Sequence, residues 1–165
     1  MNEAGIYLHP GQMCFCEQPS LVETVLGSCV AVTMWNARLR IGCICHAVLP
    51  RNRGSGEDPL KYVDSSIEEM LQILERNSSR RQDLVVKLFG GASMRRPVPN
   101  HKSVGSQNVE TALELLRNQG FTVRTSDTGG TSGRKVLFYS ETGEVFVKRI
   151  PMEAGACGGN TGTDR

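Results

Sequence analysis

Thr24-Val25-Leu26-Gly27-Ser28-Cys29-Val30-Ala31-Val32, followed by Cys43-Ile44-Cys45-His46-Ala47-Val48-Leu49-Pro50, is the part of the chain whose reading decides the rest. β-branched residues favour a pleated, half-buried surface, and a Gly-Ser pair interrupts them. Cys29 stands where the chain leaves that turn for an apolar run, and His46 lies inside the next apolar run. Asn36-Ala37-Arg38-Leu39 makes a polar turn between the two runs, and Pro50 closes the second. The pattern predicts a hairpin of adjacent strands, roughly 29–36 and 40–48. A turn centred near residues 37–39 pairs positions whose numbers sum to about 75, as 29 and 46 do. The two side chains are therefore expected at the same end of the hairpin, within reach of each other.

Working outward, residues 4–19 read as a loop and a weak strand before Pro19. Beyond Pro50, Arg51 to Pro59 is a polar, glycine-rich loop beside the Cys29 and His46 end. Val63, Ile67, Met70, Leu71 and Leu74 then recur at helical spacing, so Tyr62 to Arg76 is predicted as an amphipathic helix. Leu84 to Phe89 is a short apolar strand running into Gly90-Gly91-Ala92-Ser93-Met94, where backbone must approach something closely. Ser106 is a candidate N-cap for a second helix carrying Val109, Ala112, Leu113 and Leu116 and ending at Gly120. Three strands follow, Phe121 to Thr125, Lys135 to Tyr139 and Val145 to Arg149, in what reads as a meander with a hairpin turn at Glu141-Thr142-Gly143. Hairpin, helix, strand, helix and three strands predict a mixed α/β (α+β) sandwich with two helices on one sheet face. Residues 1–152 are expected to form one domain, and the Gly/Thr-rich residues 153–165 a disordered tail. No G-x-G-x-x-G fingerprint marks a strand-to-helix junction, which disfavours a dinucleotide fold.

Composition excludes several classes of function. Nineteen basic against seventeen acidic residues leave a net charge of +2, too little for a nucleic-acid interface. Arg80-Arg81 and Arg95-Arg96 read as solvated loop charge. The N-terminus lacks a basic start and an apolar stretch, and no apolar run approaches the ~20 residues of a membrane span, so the expectation is a cytoplasmic chain without membrane insertion. Six cysteines in such a compartment point to reduced thiols, a metal or catalysis rather than a disulfide framework.

A thiol with a pKa near ~8.5 is little ionised at neutral pH, and a neighbouring imidazole supplies the base it lacks. The same imidazole can protonate a leaving amine, so Cys29 as nucleophile and His46 as base suffice for two-step acyl transfer by a thiol hydrolase. Backbone N–H groups around Gly27 and Ser28 are candidate oxyanion donors, and Gly90 and Gly91 candidates for lining the site. A third residue should orient His46. Thr24 and Glu23 are both near, and Thr24 is preferred because a partly buried Glu23 would need its charge compensated. No cofactor is called for. The rival of another class is a zinc site built from Cys14, Cys16, Cys43 and Cys45, although structural zinc favours C-x₂₋₄-C spacing.

The blocks around Cys29 and His46, together with Lys87 to Met94, Val104 to Asn108 and Asp127 to Val136, resemble the CheD family, the chemoreceptor glutamine deamidases of chemotaxis. The likeness runs in the family's order over about residues 20–150. It implies a three-layer sandwich similar to the catalytic domain of the cytotoxic necrotizing factor toxins, with the Cys-His pair carried on a β-hairpin. It also implies that Cys29 attacks the carboxamide of a chemoreceptor glutamine, that His46 activates the thiol and that Thr24 assists. Some members of the family are linked to hydrolysis of receptor glutamyl methyl esters. In several systems a CheC-type phosphatase is the partner, so a phosphatase-binding adaptor of weak activity is the alternative. The family often has Asn immediately before the histidine, where this chain has Cys45.

Overall fold

The computed structural model describes residues 4–54, 56 and 58–151. In chain order it contains β1 (Ala4–Tyr7), β2 (Met13–Cys16), β3 (Ser20–Leu26), β4 (Val30–Asn36), β5 (Ile41–Cys45), α1 (Val63–Arg76), β6 (Leu84–Gly90), α2 (Val104–Asn118), β7 (Val123–Thr128), β8 (Gly133–Tyr139) and β9 (Val145–Ile150). The strands form two sheets. One has five strands in the order β2-β5-β4-β6-β7, the other four in the order β1-β3-β8-β9.

Alternation along β4 explains the layering. Val30, Val32 and Met34 point one way, to Val63, Ile67, Met70, Leu71 and Leu74 of α1 and to Ala112 and Leu116 of α2. Ala31 points the other way and joins Ile44 and Phe89 against Val22, Leu26, Val136 and Phe138 of the second sheet. The five-stranded sheet is thus covered by helices on one face and by the four-stranded sheet on the other. A strand covered on both faces reads as a continuous apolar run, which is why β4 and β5 lack polar alternation.

Several expectations need correction. The weak strand before Pro19 is two strands, β1 and β2, placed in different sheets. The last three strands are not a meander. β7 runs parallel to β6 in the five-stranded sheet, while β8 and β9 form an antiparallel pair in the other, because the glycine-rich turn after Thr128 carries the chain across. The second helix begins at Val104 with Ser103 as its cap, its side chain accepting from the Ser106 N–H at 3.1 Å. The cap falls three residues earlier than expected, and Gly105 lies in the first turn, where any Cβ would collide with the carbonyl oxygens of Ala92 and Gly91. The hairpin of β4 and β5 is in place, but Trp35 faces Gly42 and Met34 faces Cys43, so paired numbers sum to 77 rather than 75. The expected tail, 153–165, lies outside the described residues.

Candidate active site

β3 belongs to one sheet and β4 to the other, so Gly27-Ser28-Cys29 is the crossing between them. Its three carbonyls are all held from behind. Gly27 O accepts from the Ala92 N–H at 3.0 Å and Cys29 O from the Gly91 N–H at 2.8 Å. Ser28 O accepts from the Asn108 side-chain amide at 2.9 Å. In a trans peptide the N–H points opposite to the preceding C=O, so the N–H groups of Ser28 and Cys29 are turned away from these anchors. Gly90 and Gly91 brace the crossing from behind, and Gly91 also lines a small cleft with Ser93, Ser103 and Thr128. Gly90 has φ +103°, and a Cβ there would overlap the Cys29 carbonyl oxygen.

Cys29 is half-buried beside the inter-sheet core, and burial pushes its thiol pKa up while its own N–H pulls it down. His46 follows β5 directly and is buried. Its backbone is clamped by residues 11 and 12: His46 N–H donates to Gln12 O at 2.9 Å, and Gly11 N–H donates to His46 O at 2.8 Å. Val30 and Ala47 exchange backbone hydrogen bonds of 3.0 and 2.9 Å, continuing the hairpin register outward. In that register Cys29 stands across from Val48, and His46 across from Ala31. The two-residue offset from expectation preserves the alternation, so Cys29 and His46 share a face as diagonal neighbours. Such neighbours have Cα atoms roughly 7–8 Å apart, within reach of long side chains.

Thr24 comes from the facing sheet, fully buried. Its Oγ1 lies 2.7 Å from His46 Nδ1 and 2.7 Å from the Leu8 carbonyl oxygen. A hydroxyl has one proton, and Leu8 O can only accept it. Thr24 therefore accepts from His46 Nδ1–H, which leaves the lone pair on Nε2. Nε2 is buried and has no hydrogen-bond partner among the described residues. Burial, opposed in part by the Leu8 backbone, holds the His46 pKa down at about 4, with His9 lowering it further. The ring is neutral at physiological pH, with its free lone pair on Nε2. Glu23 faces elsewhere, its carboxylate 2.8 Å from Lys135 Nζ.

The remaining cysteines separate into two groups. Cys43 and Cys45 face the helices, whereas Cys14 and Cys16 face the second sheet. A shared tetrahedral zinc site is ruled out by that geometry, because strands β2 and β5 pair with Cys14 opposite Ile44 and Phe15 opposite Cys43. Cys14 and Cys16 have sulfurs 3.6 Å apart, and the hydrogen bond from Cys16 lowers the Cys14 pKa to about 7.

Asn108 is the residue that sequence reasoning missed as part of the site. Besides Ser28 O it donates to Val48 O at 3.0 Å, joining the cysteine crossing to the residue opposite Cys29. Its signal was available: Asn108 precedes Ala112 and Leu116 by one and two helical steps of four, a polar side chain on the buried stripe. Beside Ser28 and Val48 opens a cleft of about 660 Å³, walled by the segment from Ala92 to Ser106.

The buried imidazole of His46, held by the Thr24 hydroxyl, and the half-buried Cys29 thus lie on one face between the two sheets of a mixed α/β sandwich. The comparisons with known proteins narrow that class. The family described as CheD chemotactic sensory transduction matches residues 48–149. The chain is 46% identical over 145 residues to the probable chemoreceptor glutamine deamidase CheD 2 of Geobacter sulfurreducens, covering 88% of this chain and 89% of the relative. It is 40% identical over 157 residues to the probable chemoreceptor glutamine deamidase CheD of Maridesulfovibrio salexigens, covering 88% and 91%. To its counterpart in the archaeon Methanococcus vannielii it is 37% identical over 134 residues, covering 81% and 87%. The chain belongs to the CheD family.

Proposed function

We propose that this chain is a protein-glutamine deamidase of chemotaxis, converting chemoreceptor glutamines to glutamates through a thioester on Cys29. The observation that carries the reading is the Thr24 to His46 hydrogen bond, which leaves Nε2 as a buried, unpartnered base on the face shared with Cys29.

Both groups rest uncharged, so the thiol is activated in step with attack rather than stored as a thiolate. His46 Nε2 takes the thiol proton as sulfur bonds to the carboxamide carbon. The carbonyl oxygen gains the negative charge, and the outward N–H groups of Ser28 and Cys29 are placed to receive it. Thr24 accepts from the imidazolium at Nδ1, and Leu8 O holds the hydroxyl in that orientation. The carbon–nitrogen bond then breaks, His46 gives its proton to the nitrogen, and ammonia leaves. Water, deprotonated by His46, attacks the thioester, and the carbon–sulfur bond breaks to give glutamate and the free thiol. A glutamyl methyl ester would follow the same course with methanol as the leaving group.

The names of the relatives support a chemoreceptor as the target; its cytoplasmic part as the substrate and a CheC-type phosphatase as a partner belong to this reading. The likeness to the cytotoxic necrotizing factor domain, a cytoplasmic location and one deamidase domain over residues 1–152 belong to the same proposal. The test is incubation with receptor cytoplasmic fragments, followed by mass spectrometry for replacement of side-chain NH₂ by OH. Conversion that vanishes in Cys29→Ala and His46→Ala supports the reading. Absence of conversion, or conversion that persists in Cys29→Ala, overturns it.

A further inference from the structure

The two arginine pairs that look alike in the sequence differ in the fold. Arg80 is 2.8 Å from Asp83 and Arg81 2.9 Å from Glu75, so that pair is neutralised locally. Arg95 and Arg96 make no ion pair among the described residues. Both line the cleft beside Ser28 and Val48, together with His101 and Lys102, and no acidic residue lines it. Lys102 is taken by Glu110 at 2.9 Å, which leaves the arginines as the uncompensated charge. The same cleft presents apolar surface, with Val98 58% and Val104 43% exposed. Both contribute apolar area that nothing among the described residues covers.

We propose that this cleft selects the substrate: Arg95 and Arg96 bind an acidic, amphipathic segment flanking the target glutamine, and set a preference for glutamines with carboxylates nearby. The inference rests on the deamidase reading for the identity of the reacting group. Charge complementarity names the occupant, since a positive cleft beside an apolar wall favours a segment with carboxylates along one side and apolar residues along the other. The chemistry adds a consequence. Each turnover replaces a neutral carboxamide with a carboxylate, so a segment already converted at one glutamine becomes a better fit for conversion at the next. Deamidation of neighbouring glutamines is then ordered, with those beside an existing glutamate converted first.

The test compares two receptor fragments, one with the carboxylates around a single target glutamine intact and one with them replaced by alanine. The full-length protein should favour the acidic fragment about five- to tenfold in kcat/KM, the scale of two exposed charge contacts. Raising salt to about 0.5 M should erase the preference, since the screening length then falls below 5 Å. Arg95→Gln/Arg96→Gln should turn the two fragments over equally, whereas Arg80→Gln/Arg81→Gln should keep the preference. Equal turnover by the natural protein, or a preference that survives Arg95→Gln/Arg96→Gln, overturns the proposal. Binding of both fragments to Cys29→Ala protein, followed by fluorescence anisotropy with and without the arginine changes, tests the cleft without catalysis. Discrimination in binding with no deamidation would remove the deamidase reading and leave the cleft. Deamidation without discrimination would remove the cleft alone, and neither would remove both.

Discussion

Thr24 has one hydroxyl proton, and its donation to Leu8 O is what fixes the tautomer of His46. Thr24→Val removes the acceptor and leaves Leu8 O unpaired, so kcat should fall about 10–100-fold, measured by ammonia release. Thr24→Ser, which keeps the hydroxyl, should restore most of that loss. The pH dependence follows from the pKa of His46, lowered from 6.5 to about 4. An imidazole that resists protonation in the fold binds protons more readily when unfolded, so this group contributes stability in full above pH 6.5. That contribution, on the order of a few kcal/mol, should be lost as pH falls from 6.5 towards 4, and His46→Gln should flatten the loss in denaturant titrations. Activity should likewise hold level through neutral pH and decline on an acid limb near 4. Thiol labelling carries a further expectation: half-buried Cys14, lowered to about 7, should react with iodoacetamide at neutral pH before Cys29, whose pKa is raised. Peptide mapping of early alkylation products would show the order.

At the scale of elements, the site is a crossing braced by a turn and a helix. The β6 exit supplies Gly91 N–H to Cys29 O, the following residue supplies Ala92 N–H to Gly27 O, and α2 supplies Asn108 to Ser28 O and Val48 O. Asn108→Asp keeps the shape but removes both donors, so about 1–3 kcal/mol of stability should be lost, with a larger proportional fall in kcat than in substrate binding. Gly90→Ala should cost more. A Cβ there overlaps Cys29 O, and the φ of +103° is strained for any side chain. Thermal unfolding and ammonia release should both decline, and repair by a second change in β4 is not expected, because the clash is with backbone. The sequence identified the Gly-Gly exit as a place of close approach but not its partner, since the crossing it braces lies some sixty residues earlier.

Across the whole molecule, the two sheets are tied by a buried cation. Arg134 of β8 is fully buried and donates to Asp127 Oδ1 at 3.1 Å, and to Gly129 O at 2.8 Å, in the turn where the chain leaves β7 for the other sheet. Arg134→Met leaves Gly129 O without its donor and Asp127 with only the exposed Arg149, 3.0 Å away, and should destabilise by about 1–3 kcal/mol, read as a fall in the unfolding midpoint with denaturant. Periodicity along the chain determined the two helices and the central hairpin, because those depend on neighbours within about twenty residues, while the register that sets Cys29 opposite Val48 rather than His46 was two residues off the sequence expectation. The nearness of Thr24 was a chemical preference for a hydroxyl over a buried carboxylate, and the facing sheet supplies that hydroxyl. What the tertiary structure alone decided was the division of strands between two sheets, the transfer of β7 to the five-stranded sheet, the placement of Asn108 behind the Gly27-Ser28-Cys29 crossing and the separation of four cysteines onto opposite faces. Each turns on which side of a strand or helix meets a distant partner, and a strand covered on both faces carries no alternation by which its sequence could declare it.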